Sequence, residues 1–287
     1  MQILTIATKY PEYDLLDSGD GQRLERFGKF VLARPDPQAI WQTRHEKLWS
    51  KADAVFTETG SKRPGWTIKT SVPERWQMNY GPISFWAKLS PFKHTGVFPE
   101  QISQWQFMEE QIKTSKKQLN ILNLFAYTGI ASLVCARAGA RVTHVDASRP
   151  TIGWARDNQA LSKLADKPIR WILDDVLKFV KREVKRGVKY DGLIMDPPVY
   201  GHGPNGEKWD FGTSFPQLVA ACRQILSDHP AFIVINAYAV SASSLMLRNV
   251  LEDLTSGGEI ECGELVLQEK NSDRLLSTGI FGRWRSK

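Results

Sequence analysis

The sequence predicts an α/β fold in which a mostly parallel sheet is covered by helices on both faces and follows a small, mainly β N-terminal domain. Three observations carry this prediction. From about residue 100 onward, apolar runs of strand length alternate with stretches of helical periodicity. These strands are apolar almost throughout, which is typical of a buried parallel sheet. Before residue 90, short apolar runs alternate instead with turn-forming residues.

The composition is that of a globular protein with a basic excess. The chain has 287 residues, of which 42% are hydrophobic and 24% are charged, and its formal net charge is +7. These values exclude collagenous and disordered chains. No apolar run approaches the roughly 18–20 residues of a membrane helix, and the first residues lack the pattern of a signal peptide. We therefore expect a cytoplasmic protein, and the basic excess favours polyanionic partners.

Residues 1–90 are predicted to form the small, mainly β domain. Half of the ten tryptophans fall in this region and are interleaved with basic residues. Such a pattern suits stacking on single-stranded nucleic acid, although the same aromatic residues also suit the core of a small domain. The residues concerned are Trp41, Trp49, Trp66, Trp76, Trp86, Lys62, Arg63, Lys69 and Arg75.

Residues 91–287 are predicted to form the larger domain, whose sheet has seven strands. The predicted strands are residues 119–125, 141–146, 169–173, 190–195, 231–236, 259–268 and 275–284. The predicted helices are residues 101–116, 130–139, a stretch through Ala155 and Leu161, 176–186, 215–226 and 244–254. No helix separates the last two strands, so they should pair as an antiparallel hairpin at a sheet edge.

Four consecutive strands are followed by residues that suit a ligand site, and ligands of such sheets lie beyond the carboxyl ends of the strands. Gly129 follows the first strand, where the missing Cβ lets a ligand approach the backbone at a helix N-terminus. Asp146 ends the second strand and can accept two hydrogen bonds from a ribose diol. Asp174 and Asp175 follow the third strand and suit an adenine amino group, and Asp196 follows the fourth.

A nicotinamide-binding domain would share the glycine turn and the acid, so an NAD-dependent oxidoreductase is one alternative. Such a domain normally carries the GxGxxG segment that cradles a pyrophosphate. Residues 127–132 supply only one glycine. An adenosine carrying an amino-acid carboxylate fits this turn better, and S-adenosylmethionine is such a compound.

These segments resemble the class I S-adenosylmethionine-dependent methyltransferases. The likeness is to the bacterial large-subunit ribosomal RNA methyltransferase family with NxFxYTG, VDxS and DPPxY/F segments, and it covers about residues 90–287. The matching stretches are Asn123–Gly129, Val145–Ser148, Asp174–Val180 and Tyr190–Tyr200. The resemblance implies a Rossmann-like seven-stranded methyltransferase sheet, S-adenosylmethionine as the cofactor, and a part in rRNA processing through RNA methylation.

The resemblance also implies a set of cofactor-binding residues. Within it, Asp146 holds the ribose, Asp175 and Val176 hold the adenine edge, and the backbone near Gly129 holds the methionine moiety. A loop before the first strand is expected over the cofactor. The full set is Lys93, Thr95, Phe98, Gln101, Asn123, Phe125, Tyr127, Gly129, Asp146, Ala147, Ser148, Asp174, Asp175, Val176 and Asp196.

The predicted catalytic residues are Asp196, Pro197, Pro198 and Tyr200. If the methyl acceptor is an exocyclic amine, the Asp196 carboxylate can hold its N–H, and the two prolines limit where the backbone carbonyls point. Tyr200 suits stacking on a base taken out of its helix. The alternatives are a strand-end cap for Asp196 and loop packing for Tyr200. Residues 201–209 are expected to form a flexible lid or an ordinary solvated loop.

Cytosine C5 methylation is disfavoured, because it needs a cysteine nucleophile. Members of the resembling family that use one carry it just after the fifth strand, where residues 236–243 of this chain hold no cysteine. A nitrogen or oxygen acceptor is therefore expected, with Asn236 and Tyr238 lining the pocket. The histidines and cysteines form no ligand pattern, so no metal site is predicted.

The helix from Val176 is strongly basic, which suits either phosphate contacts or a solvated face whose cations favour the helix C-terminus. Its basic residues are Lys178, Lys181, Arg182, Lys185, Arg186 and Lys189. Taken together, the sequence predicts an S-adenosylmethionine-dependent methyltransferase of structured RNA, such as rRNA. A small-molecule or protein acceptor and a non-catalytic RNA-binding module are the remaining alternatives.

Overall fold

A computed structural model of the chain describes residues 3–7, 9–58 and 64–287. Lys62 and Arg63, two of the basic residues expected to contact nucleic acid, lie outside the described residues. The remaining aromatic and basic residues of that predicted pattern are described.

The chain forms two compact units. The first combines the stretch that ends at Ile6 with Ser103–Leu265 and Gly279–Lys287, and the second combines Ala7–Ile102 with Val266–Thr278. The predicted division between residues 90 and 91 is therefore too simple. The first strand joins the large sheet, and the tip of the last hairpin belongs to the second unit, since strand pairing does not follow chain order.

The described residues form strands and helices with the following bounds. The strands are β1 (Ile3–Ala7), β2 (Tyr13–Gly19), β3 (Gln22–Phe27), β4 (Phe30–Pro35), β5 (Ala54–Thr57), β6 (Gly65–Ile68), β7 (Trp76–Tyr80), β8 (Ile83–Ala87), β9 (Asn120–Leu124), β10 (Arg141–Asp146), β11 (Ile169–Leu173), β12 (Gly192–Met195), β13 (Tyr200–His202), β14 (Lys208–Asp210), β15 (Phe232–Ala237), β16 (Glu259–Gln268) and β17 (Leu275–Arg285). The helices are α1 (Glu46–Trp49), α2 (Ile102–Thr114), α3 (Ile130–Arg137), α4 (Arg149–Leu161), α5 (Val176–Lys185), α6 (Phe211–Ile225) and α7 (Ser244–Leu254).

The large sheet confirms the predicted fold class. Its strand order is β1-β16-β17-β15-β12-β9-β10-β11. The five strands from β15 to β11 are parallel, and β17 pairs antiparallel with β15. All seven predicted strands are present, but β1 adds an eighth beyond β16, so the C-terminal hairpin does not end the sheet. Since β10 and β12 flank β9, the strand order reverses there, and the carboxyl ends of these three strands meet.

The core of the first unit explains why its strands are apolar on both faces. Leu122, Leu124, Leu193, Met195 and Ile233 are all fully buried. Helices pack apolar faces on the sheet; in α5, for example, Val176, Phe179 and Val180 are buried on one face, beside the buried carboxylate of Glu183. The strand ends that carry the site are thus held on a rigid support.

The second unit contains the five-stranded sheet β2-β3-β4-β5-β6 and the hairpin β7-β8. Its tryptophans mostly have structural partners. Trp76 is buried. The indole N–H groups of Trp41, Trp49 and Trp66 donate to the Ser18 carbonyl, to Asp17 Oδ2 and to the Ser90 carbonyl, over 2.9, 2.8 and 2.9 Å. These contacts favour the interpretation that the aromatic residues stabilise the unit.

Candidate functional site

The loop between β9 and α3 has an unusual backbone. Phe125, Tyr127 and Gly129 have φ values of +57°, +48° and +82°. The left-handed region is uncommon for residues with a Cβ, costs about 1–3 kcal/mol each, and is concentrated at functional sites. The segment expected to hold the methionine moiety is therefore strained in the folded chain.

Asp146 organises this end of the sheet through three hydrogen bonds. Its Oδ2 accepts from the Tyr127 amide over 2.8 Å, and its Oδ1 accepts from the Ser148 amide over 2.8 Å and the Thr151 hydroxyl over 2.9 Å. Burial raises the pKa of the Asp146 carboxyl above its ordinary value. Oδ1 already accepts two hydrogen bonds, whereas Oδ2 accepts one and keeps a second acceptor site. The carboxylate can therefore also accept a ribose hydroxyl at Oδ2.

The residues after Asp146 start the next helix. Ser148 is the N-cap of α4, and its hydroxyl accepts from the Thr151 amide over 3.4 Å. Ala147 lies between the acid and this cap. The predicted cofactor residues Ala147 and Ser148 thus lie beside Asp146.

Gly129 is required for packing, a reason that the sequence did not indicate. A Cβ built on this residue would lie 2.9 Å from the Ala155 Cβ and 3.4 Å from the Trp171 ring. The position therefore faces the protein interior rather than open space. Left-handed backbone and close packing on α4 are sufficient to require a glycine here. The approach of a ligand to the backbone at this residue stays a prediction.

Asn123 has a buried partner in the interior. Its amide donates to the Ser132 hydroxyl over 2.9 Å, and that hydroxyl lies 3.0 Å from His144 Nδ1. Burial lowers the pKa of His144 to about 3, so the ring is neutral at physiological pH. The network joins β9, α3 and β10 beneath the site, and sequence reasoning missed Ser132 and His144 although both interrupt apolar stretches.

The predicted adenine-binding residues lie at the start of α5. Asp175 is its N-cap and accepts from the Lys178 amide over 2.8 Å. Asp174 forms an ion pair with Arg182, and Val176 is buried. Asp175 uses one oxygen for the cap, so its second oxygen is the one suited to a ligand amino group.

The segment after β12 leads directly into a hairpin. Tyr200 pairs with Asp210, and Gly201 pairs with Trp209. Residues 201–202 and 208–209 therefore lie in β13 and β14, and residues 203–207 form the turn between them, so the segment is a hairpin rather than an irregular loop. A role of this segment as a lid stays a prediction. Tyr200 is 75% exposed, so its ring is accessible for stacking.

The β13-β14 hairpin is held by contacts at its turn and at the end of its second strand. Asp210 caps α6 by accepting from the Thr213 amide over 3.0 Å, so the helix begins earlier than predicted. Glu207 pairs with Lys178 of α5 over 2.7 Å, and this hydrogen bond lowers the pKa of Glu207 to about 2.

The basic face of α5 is largely paired with acids. Besides the Lys178 and Arg182 pairs, Arg186 lies 2.9 Å from the buried Glu183. Lys189 donates to the Gln224 carbonyl over 2.9 Å. These pairs favour a solvated helix face over a phosphate-binding one.

The predicted residues of the loop before α2 belong to the second unit. There, Lys93 pairs with Glu58 over 3.2 Å, and its carbonyl accepts from Arg34 over 2.9 Å. Thr95 and Gln101 are buried. The assignment of Lys93, Thr95, Phe98 and Gln101 to the cofactor stays a prediction.

The two residues expected to line the acceptor pocket are largely packed in the protein. Asn236 is buried and accepts from the Gln104 amide over 3.3 Å. Tyr238 lies against Gly279, where a Cβ would meet its ring at 2.9 Å. Neither contact indicates a ligand-facing side chain.

All three cysteines are buried. Burial raises the pKa of Cys222 to about 12 and also raises that of Cys135, so neither is a thiolate at neutral pH. Within residues 3–7, 9–58 and 64–287, no group of three or more potential metal ligands comes together. No helix in this part of the chain has the length and hydropathy of a membrane span.

Comparisons with known proteins agree on one class of enzyme. No family model matches the chain. A solved S-adenosylmethionine-dependent methyltransferase from Agrobacterium tumefaciens is 40% identical, with a TM-score of 0.93, over 100% of this chain and 94% of that chain. A methyltransferase solved with S-adenosylhomocysteine is 19% identical with a TM-score of 0.71, covers 96% of this chain and 76% of that chain, and shares the fold.

A curated relative gives a more specific name. The ribosomal RNA large subunit methyltransferase K/L of Chromohalobacter salexigens is 32% identical over 138 residues, which is 48% of this chain. The chain spans only 18% of the length of that relative. The similarity therefore concerns one part of a much longer protein.

Proposed function

Because this chain belongs to the S-adenosylmethionine-dependent methyltransferases, it is an enzyme that uses S-adenosylmethionine, and we propose that its methyl acceptor is RNA of the large ribosomal subunit. The likeness to the rRNA methyltransferase K/L of C. salexigens carries this proposal. The net charge of +7 supports a polyanionic substrate. Membership of this family sets the NAD-dependent alternative aside.

The cofactor is proposed to lie at the carboxyl ends of β9, β10 and β11. Asp146 would hold the ribose by accepting one of its hydroxyls at Oδ2, and Asp175 with the Val176 amide would hold the adenine edge. The strained backbone at Phe125 and Tyr127 would hold the methionine moiety. This set of residues fits the group, because it combines half-buried carboxylate acceptors with a helix N-terminus near the amino-acid end.

When bound, S-adenosylmethionine supplies a methyl group on a sulfonium, which is a good leaving group. The protein then has mainly to orient the acceptor for in-line attack and to exclude water. Asp196 follows β12, next to the proposed cofactor position, and is proposed to accept a hydrogen bond from an exocyclic amine. Tyr200 is proposed to stack on the target base, since its ring is accessible.

A nitrogen acceptor is proposed in preference to cytosine C5. Attack at C5 requires a thiolate that adds to the ring. The buried cysteines, two of them with raised pKa, are unsuited to that role. An amine needs only a fixed hydrogen-bond acceptor and a clear approach, which this strand end supplies.

The second unit is proposed to help present RNA, and the protein is proposed to act in the cytoplasm, where ribosomal RNA is assembled. The cation–π pair of Arg75 and Trp86, 4.3 Å apart, belongs to this unit. Its aromatic and cationic surfaces suit nucleotide contacts.

The proposal is tested by transfer of a tritiated methyl group into the RNA, protein and small-molecule fractions of cells that lack the gene. We expect label in large-subunit rRNA, and nucleoside mass spectrometry should identify an N-methylated base. The variant Asp146→Asn serves as the control for cofactor dependence. Label confined to protein would overturn the RNA proposal, and 5-methylcytidine would overturn the acceptor chemistry.

A further inference from the structure

Trp209 contacts both halves of the proposed reaction centre. It lies in β14 and is only 5% exposed. Its partner in the hairpin is Gly201, where a Cβ would lie 3.5 Å from Pro198 Cγ and 3.9 Å from Trp209 Cβ. Gly201 thus lies beside both Pro198 and the base of the Trp209 side chain.

The first contact of Trp209 is with the acceptor side. Its indole N–H donates to the Pro198 carbonyl over 2.7 Å. Two residues further along the chain, the Phe211 amide donates to the Val199 carbonyl over 2.9 Å. The carbonyls of Pro198 and Val199, which follow Asp196 and Pro197, thus both accept hydrogen bonds from residues at the end of the hairpin.

The second contact is with the cofactor side. The Trp209 ring meets the Phe125 ring edge to face, with centroids 4.7 Å apart and planes at 63°. Phe125 is the first of the left-handed residues after β9. The indole is therefore packed between the loop proposed to hold the methionine moiety and the segment proposed to hold the acceptor.

We propose that Trp209 is a positioning residue for methyl transfer, which sets the Asp196–Tyr200 segment against the Phe125–Gly129 loop. This inference rests on the proposed function. Methyl transfer depends on in-line alignment, and small misplacements of reacting groups cost large factors in rate. Trp209 acts through Pro198 and Phe125, so removing its N–H should misplace the acceptor while the cofactor side stays intact.

The test compares Trp209→Phe with a matched control, Trp284→Phe. Trp284 is 3% exposed, and its indole N–H donates to the Gly257 carbonyl over 2.7 Å, so both changes remove one partly buried hydrogen bond of the same length. The phenyl ring that Trp209→Phe introduces can still pack on Phe125. A second variant, Trp209→Leu, removes the aromatic contact as well.

For Trp209→Phe we expect kcat to fall by about tenfold or more, as misplaced reacting groups imply, while the Kd for S-adenosylhomocysteine in calorimetry stays close to that of the parent. Hydrogen exchange at the Phe211 amide, which donates to the Val199 carbonyl, should become faster. Trp284→Phe should keep both the kcat and this local protection. Trp209→Leu should weaken cofactor binding as well.

Equal kcat values for the two phenylalanine variants would overturn the inference, as would unchanged exchange at the Phe211 amide. If the parent enzyme binds S-adenosylhomocysteine but labels no RNA, the RNA proposal fails separately. The inference about Trp209 is then decided by hydrogen exchange and by the kcat for the protein or small-molecule fraction that the parent enzyme labels. If the parent labels no fraction, hydrogen exchange and the Kd for S-adenosylhomocysteine decide it.

Discussion

The backbone amide of Tyr127 donates to Oδ2 of Asp146 over 2.8 Å, so the acid that ends β10 also holds the left-handed loop that follows β9. One carboxylate therefore serves two adjacent strands. The proposed ribose contact and the proposed methionine contact are coupled through this bond.

Replacing Asp146 by Asn should weaken cofactor binding by at least about tenfold, because hydrogen bonds to a charged group are worth about 1.5–3 kcal/mol. Titration calorimetry with S-adenosylhomocysteine measures this loss. Asp157→Asn, at an exposed position on the neighbouring α4, is the control and should bind as the parent does. Binding by Asp146→Asn within twofold of the parent would contradict the assigned role.

Gly129→Ala should lower the free energy of unfolding by about 1–3 kcal/mol through overpacking, in addition to its left-handed backbone cost. Gly187 has a similar φ of +66°, but no atom lies within 4 Å of a Cβ added there. The control Gly187→Ala therefore measures the backbone cost without overpacking. Urea denaturation compares the two variants. Adding Ala155→Gly should recover part of the loss at residue 129, and no recovery would argue against the contact with Ala155.

His144 should make the protein less stable as the pH falls. Its folded pKa is about 3 against an ordinary value of 6.5. Between these values the unfolded chain binds a proton that the folded chain does not, so the free energy of unfolding falls by about 1 kcal/mol per pH unit below 6.5.

The variant His144→Asn keeps a polar group near Ser132 and removes this titration. Denaturation of the parent and of the variant from pH 7 to pH 5 should therefore give curves that converge as the pH falls. The buried His94, whose pKa is lowered to about 4, contributes equally to both proteins and cancels in the comparison. Parallel curves would show that His144 is not the group concerned.

Glu207→Gln should loosen the β13-β14 hairpin without unfolding the protein, because the Glu207–Lys178 pair joins the hairpin to α5. Exposed ion pairs contribute little to global stability. Hydrogen exchange of residues 200–210 should become faster while the Tm stays close to that of the parent. Glu252→Gln breaks the exposed pair with Arg248 on α7 and should leave the hairpin unchanged.

Replacing all three cysteines by alanine should preserve methyl transfer to within about threefold, because a thiol nucleophile is not part of the proposed chemistry. The Tm should fall, since Cys135, Cys222 and Cys262 are buried. Loss of kcat in a folded triple variant would indicate covalent catalysis by one of the thiols.

Local sequence patterns were enough to predict most of the strands and helices from about residue 100 onward, although they missed the β13-β14 hairpin. They also located Asp146, Asp175 and Asp196 at or just after three strand ends. Periodicity and capping residues carry that information, because they act over a few residues. Only the three-dimensional packing revealed that β1 joins the large sheet, that Gly129 faces Ala155, and that Trp209 contacts Phe125 and Pro198. Those relationships depend on how elements distant in the chain pack together, which short-range patterns do not encode.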